Sequence, residues 1–196
     1  MTGDLDVAGL EASLSELVRR HESLRTRFES VDGEGVQVID PAGGFVLPVT
    51  DLSGLEPEAR EAEARGLAQS ETELAFDLAQ GPVFRARLLR LSEREHVLLA
   101  SMHHIVSDGW SMSVLTREVA SLYAAFSRGE ASPLPEPELQ YADYALWQRS
   151  WLQGEALERQ LGYWRERLSD APAALELPTD QRASGADRRG CRSRRV

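Results

Sequence analysis

The stretch SMHHIVSDGWSMS, residues 101–113, decides how this chain is read. It follows two apolar, partly alternating runs, VFRARLLRL (83–91) and EHVLLASMHH (95–104), parted only by polar residues. That pattern predicts a β-hairpin whose second strand ends at the histidines. Past Gly109, the residues Trp110, Val114, Leu115, Leu122, Tyr123 and Phe126 recur on one face of a helix running to about Ser127. The two histidines, Asp108 and Gly109 thus stand where a strand hands over to a helix.

That junction concentrates chemistry. Consecutive strand side chains point to opposite faces, so a regular strand cannot aim both His103 and His104 into one cleft. The reading is one buried, hydrogen-bonded histidine and one offered to a substrate. Asp108 is placed to cap the helix or to pair with an arginine. Gly109 can adopt a backbone conformation other residues resist, and its N–H lies at a helix N-terminus, where developing negative charge is favoured. An imidazole that titrates near neutral pH, beside backbone donors, suits acyl transfer. No G-x-S-x-G elbow is present, and the single cysteine, Cys191, lies in the terminal segment, so direct attack of one bound substrate on another fits better than an enzyme nucleophile. Adjacent histidines diverge, H-E-x-x-H is absent, and His21 and His96 offer no ligand spacing, so no metal site is expected.

Outward from the junction, Leu10, Leu14, Leu17 and Val18 predict an amphipathic helix from about Asp6 to Glu22. LRTRFES and VQVI, parted by a turn at Gly33 and Gly35, predict a hairpin. The segment from Pro57 through PEAREAEARGLAQSETELAFDL is rich in helix formers, with a break or bend expected near Gly66. SPLPEPEL is an extended surface connection, and two further helices are expected at YADYALWQRSWL and from Ala156 to Leu168. From Arg182 the chain turns arginine-rich and nearly devoid of apolar residues, which predicts a disordered basic tail or the product of a shifted reading frame.

Bulk properties exclude several functions. A chain of 196 residues can bury a core of its own, and a formal charge of −10 disfavours nucleic acid as a partner. There is no lysine, which removes Schiff-base and P-loop mechanisms. No run approaches the roughly 18 apolar residues of a membrane span, and the N-terminus lacks a secretory pattern, so a cytoplasmic location is expected.

HHIVSDG is an instance of HHxxxDG, flanked by RHESLRTRF (20–28) and YADYALW (141–147). With YWRERL and LELPTD beyond them, these segments resemble, in order and spacing, condensation domains of nonribosomal peptide synthetases. The resemblance covers the chain to about Asp180. It implies an α/β, chloramphenicol-acetyltransferase-like fold in which a mixed β-sheet packs with helices and two lobes form a V. Residues 1–180 would be the N-terminal lobe, incomplete at both ends, and 181–196 a separate basic tail.

The resemblance also implies the reaction: the amine of an acceptor aminoacyl thioester attacks a donor acyl thioester, both delivered on phosphopantetheine by partner carrier domains, upstream and downstream. His104 would orient or deprotonate that amine, and Gly109 would offer its backbone near the reacting centre. His103 and Asp108 would be structural, with Arg20 and Arg25 supporting the motif loop. His21, Tyr141, Asp143 and Trp147 would serve packing. No cofactor would be bound directly, and without the C-terminal lobe the polypeptide alone would show little activity. Two alternatives remain open at this point: a related HHxxxDG acyltransferase acting on an alcohol or soluble amine, with an epimerisation domain sharing the motif, and a non-catalytic module that only binds carrier domains.

Overall fold

The computed structural model describes residues 1–172, so the basic segment from residue 181, with Cys191, lies outside the described residues. The chain divides into two units, Met1–Gln148 and Arg149 onward. The first opens with helix α1 (Val7–Arg20), a short 3-10 turn (Glu22–Arg25) and the hairpin β1 (Thr26–Val31) and β2 (Glu34–Ile39). Strand β3 (Val49–Asp51), helix α2 (Pro57–Glu73), strands β4 (Phe84–Ser92) and β5 (Glu95–Met102) and helix α3 (Gly109–Phe126) follow, and helix α4 (Tyr141–Trp151) begins in this unit and ends in the second. Helix α5 (Gly154–Arg167) belongs to the second unit.

Strand β4 is the centre of a mixed sheet of order β3-β4-β5, parallel to β3 and antiparallel to β5. Its alternate residues Phe84, Ala86 and Leu88 enter the core, where Leu10, Leu14 and Leu17 meet them from α1. The spacing of those leucines puts all three on one helical face, and each is at most 2% exposed. Helix α3 closes the same core with Leu115, Val119 and Tyr123, and the Tyr123 hydroxyl accepts a bond from the Asp6 backbone N–H at 3.0 Å. Helix α3 is thus packed on α1, and the residues between Met102 and Gly109 form the loop that carries the histidines.

Both predicted hairpins form. In the first, the turn is Asp32-Gly33, each with positive φ (52° and 83°), while Gly35 is already paired with Ser30 inside β2. Two consecutive positive φ values match the right-handed twist of the flanking strands. Helix α2 runs through Gly66 without interruption, against the expected break. One exposed glycine costs a helix only about 0.5–1 kcal/mol, too little to end it. Trp110 also departs from expectation: it is 80% exposed and lies outside the buried core. Among the described residues, no helix is long and apolar enough to cross a membrane.

Candidate active site

Strand β5 ends at Met102, so the alternation expected to separate the two histidines never reaches them. Neither is buried: His103 is partly covered and His104 is exposed. The buried histidine of this unit is His96, at 4% exposure. The two rings are instead distinguished by hydrogen bonds. His103 Nδ1 accepts the Ile105 backbone N–H at 3.0 Å, so its neutral ring carries the proton on Nε2. His104 Nδ1 lies 2.9 Å from the Ser107 carbonyl oxygen, which can only accept, so Nδ1 donates and Nε2 keeps its lone pair. One ring is locked as a loop-forming acceptor. The other is set as a proton acceptor at Nε2, which has no hydrogen-bond partner among the described residues.

The loop between them is tightly built. The His103 carbonyl accepts from the Val106 backbone N–H at 3.1 Å and from the Ser107 hydroxyl at 3.1 Å. Asp108 caps α3: its carboxylate accepts from the Ser111 backbone N–H and from the Ser111 hydroxyl, both at 2.8 Å. The Asp108 N–H donates back to the Ser111 hydroxyl at 3.1 Å, completing a capping box. The Ser111 backbone N–H, then its hydroxyl, hold the Asp108 carboxyl below the usual carboxylate range, with smaller help from the Trp110 N–H. Asp108 forms no ion pair with an arginine among the described residues.

Gly109 differs from expectation in its backbone. Its φ is not among the positive values, and a Cβ built there would meet nothing within 4 Å. Neither conformation nor crowding within this chain demands glycine; the position opens onto empty space beside the loop.

That space is two clefts. One, of about 220 Å³, is lined by His104, Ser107 and Asp108 together with Ser23, Thr26 and Phe28 from RHESLRTRF and Tyr141 from YADYALW. The other, of about 550 Å³, is lined by the same three loop residues with Gly109, Met112 and Phe76. All three sequence motifs converge on the first cleft, and His104 borders both. Tyr141, expected to serve packing, is 56% exposed and lines the cleft.

The expected support of the loop by Arg20 and Arg25 is not what the geometry gives. Arg20 donates to the Pro135 carbonyl at 2.6 Å and the Leu134 carbonyl at 3.4 Å, and its Nε lies 3.7 Å from Glu118 of α3. His21 Nε2 meets the same carboxylate at 2.7 Å. Arg25 donates to the Asp40 carbonyl and to Glu22 at 3.3 Å. Both arginines fasten the framework around α1 and β2, and among the described residues neither forms a hydrogen bond or ion pair with residues 103–108. Gln140 joins two motif segments: its amide accepts from the Glu22 N–H at 3.1 Å and donates to the Arg20 carbonyl at 2.8 Å. Asp143 accepts from the Gln140 N–H at 2.9 Å, at the start of α4.

Sequence reasoning misses Ser107 and Ser111. The D-x-x-S spacing of Asp108 and Ser111 is a legible capping signal; the role of the Ser107 carbonyl is a backbone property with no sequence sign. Among the described residues, no group of three or more His, Cys, Asp or Glu side chains is arranged to hold a metal ion.

A mixed sheet packed with helices, carrying an exposed histidine on a strand-to-helix loop between two clefts, defines a chloramphenicol-acetyltransferase-like lobe. The model of the condensation domain family matches residues 1–192. A linear gramicidin synthase polypeptide of Brevibacillus parabrevis is 54% identical over 181 residues, which are 92% of this chain and 4% of that protein. The crystal structure of the X-domain from teicoplanin biosynthesis superposes with a TM-score of 0.80 at 35% identity, covering 92% of this chain and 40% of that one. The X-domain in its complex with OxyB gives 0.79 at 34% identity, over 92% of this chain and 39% of that one. The chain belongs to the condensation domain family. It spans about 4% of the length of that synthase polypeptide and 40% of the X-domain chain.

Proposed function

We propose that this chain supplies the histidine-bearing lobe of a condensation domain that joins a donor acyl thioester to an acceptor aminoacyl thioester, both held by phosphopantetheine on carrier domains. The observation that carries the reading is His104: its Nδ1–H is tied to the Ser107 carbonyl, its Nε2 is left as acceptor, and a cleft opens on either side of it. The acceptor amine enters from one cleft and the donor carbonyl from the other. His104 Nε2 orients the amine and takes a proton as the nitrogen–carbon bond forms. The carbon–sulfur bond then breaks, and the proton leaves with the donor's thiol. Alignment of two tethered reactants supplies most of the rate, and a positioned base typically adds about 10²–10⁴-fold.

In this reading His103 and Asp108 hold the loop, Gly109 leaves room beside the reacting carbonyl, and a second lobe completes the walls of both clefts. The chain binds no cofactor of its own, because the pantetheine arms belong to the carriers. In this reading the domain works in the cytoplasm and in secondary-metabolite synthesis, as the likeness to linear gramicidin and chondramide synthases suggests. A second reading, a module that only docks a partner protein, is favoured by the likeness to an X-domain whose structure is a complex with OxyB.

The test offers the chain, with a second lobe supplied in trans, a donor acyl carrier and either an aminoacyl carrier or a free alcohol. Amide formation on the acceptor carrier that disappears in His104→Ala supports the proposal. Ester formation with the alcohol favours the related acyltransferase. Carrier binding that is unchanged in His104→Ala, with no product in either protein, favours the docking module.

A further inference from the structure

A line of contacts from outside the motif ends on the first histidine. Arg85 of β4 donates from Nε to Glu71 at 2.9 Å and from its terminal nitrogens to the Leu74 and Ala75 carbonyls at 2.8 and 3.3 Å. It thereby closes the C-terminal end of α2, where a cation is favoured. The same guanidinium lies 3.7 Å from the centroid of the Phe76 ring, in cation–π contact. The Phe76 ring in turn meets the His103 ring edge to face, at 5.8 Å between centroids and 80° between planes. Phe76 is also part of the wall of the larger cleft that His104 borders.

We infer that Phe76 and Arg85 are positioning residues for the histidine loop. This rests on the reading of His104 as the proton acceptor. Arg85 fixes Phe76, and Phe76 fixes the plane of the His103 ring. That plane is what allows His103 Nδ1 to accept the Ile105 N–H. The His103 carbonyl, in the same turn, holds the Ser107 hydroxyl, and the Ser107 carbonyl sets the tautomer of His104. A ring freed to rotate at residue 103 loosens the turn, and with it the bond that keeps the His104 proton on Nδ1. Neither Phe76 nor Arg85 touches the reacting atoms.

The experiment reads the tautomers directly, by long-range proton–nitrogen NMR on the nitrogen-15-labelled full chain at a pH where both imidazoles are neutral. Wild type is expected to show Nε2–H at His103 and Nδ1–H at His104. In Phe76→Leu the ratio of Nδ1–H to Nε2–H at His104 falls about 2- to 10-fold, the range one edge-on aromatic pair carries. Phe76→Tyr keeps the ring and retains the wild-type pattern. Arg85→Lys keeps the charge, loses the planar stack, and shifts the ratio in the same direction by less. If Phe76→Leu does not fold, as judged from its amide spectrum, Arg85→Lys decides. Unchanged ring signatures in every folded variant, with wild type as expected, overturn the positioning role and leave His104 standing. A wild-type His104 protonated on Nε2 overturns the reading of the site itself, and the inference with it.

Discussion

Replacing Arg20 with methionine keeps the length of the side chain and removes its charge and donors. The site is closed: Arg20 is 4% exposed, and its guanidinium reaches two backbone carbonyls, at 2.6 and 3.4 Å, and a carboxylate at 3.7 Å. Methionine would leave the Leu134 and Pro135 carbonyls without these donors and leave Glu118 with His21 as its remaining partner at 2.7 Å. Removing one member of such a buried pair costs about 3–5 kcal/mol. That is a large share of the roughly 5–15 kcal/mol by which domains are stable. With a urea dependence of about 2 kcal/mol per molar, the unfolding midpoint falls by about 1.5–2.5 M. Urea titration followed by circular dichroism measures it. Arg20→Lys, which keeps the charge and loses the fork, should fall between, losing about 1.5–3 kcal/mol. A loss below about 1 kcal/mol in Arg20→Met would refute the reasoning, because such a value belongs to an exposed pair. The lysine variant should also leave the His104 tautomer as in wild type; a change there would return Arg20 to the motif loop.

Three further outcomes follow from the same geometry. Leu14→Ala, in the centre of the core, should cost about 2–5 kcal/mol by the same titration, with no direct effect on the loop. Gly109→Ala should be neutral or about 0.4–1 kcal/mol more stable, since the backbone is ordinary and the space open, yet should slow amide formation by filling the cleft. Asp108 has a folded pKa below its unfolded value, so its contribution is present above the ordinary aspartate range, near pH 4, and is lost as pH falls through the lower folded value. The first turn of α3, followed by amide NMR, should loosen only in that acid window in wild type and show no such step in Asp108→Asn, which still caps.

Local periodicity made much of this fold legible. Leu10, Leu14 and Leu17 announced α1, and the alternating runs around Asp32-Gly33 and Glu93-Arg94 announced both hairpins. The convergence of the three motif segments on one cleft is a finding of the structure, since Tyr141 reads from the sequence as a packing residue. What failed was whatever depends on where an element stops or on a partner far along the chain. The histidines lie just past the last strand residue, so strand alternation said nothing about them. Trp110 fits the period of α3 but falls in its first turn and stays 80% exposed. Arg20 finds its carbonyls 114 and 115 residues away, a pairing no local pattern encodes. The Ser107 carbonyl, which sets the tautomer of His104, is a group every residue carries.

The most direct test of His104 as the proton acceptor is the single-turnover rate of amide formation between two carrier-bound thioesters, compared for wild type and His104→Ala in the presence of a second lobe. A positioned proton acceptor predicts a fall of about 10²–10⁴-fold with carrier binding unchanged. Equal rates in the two proteins would contradict it.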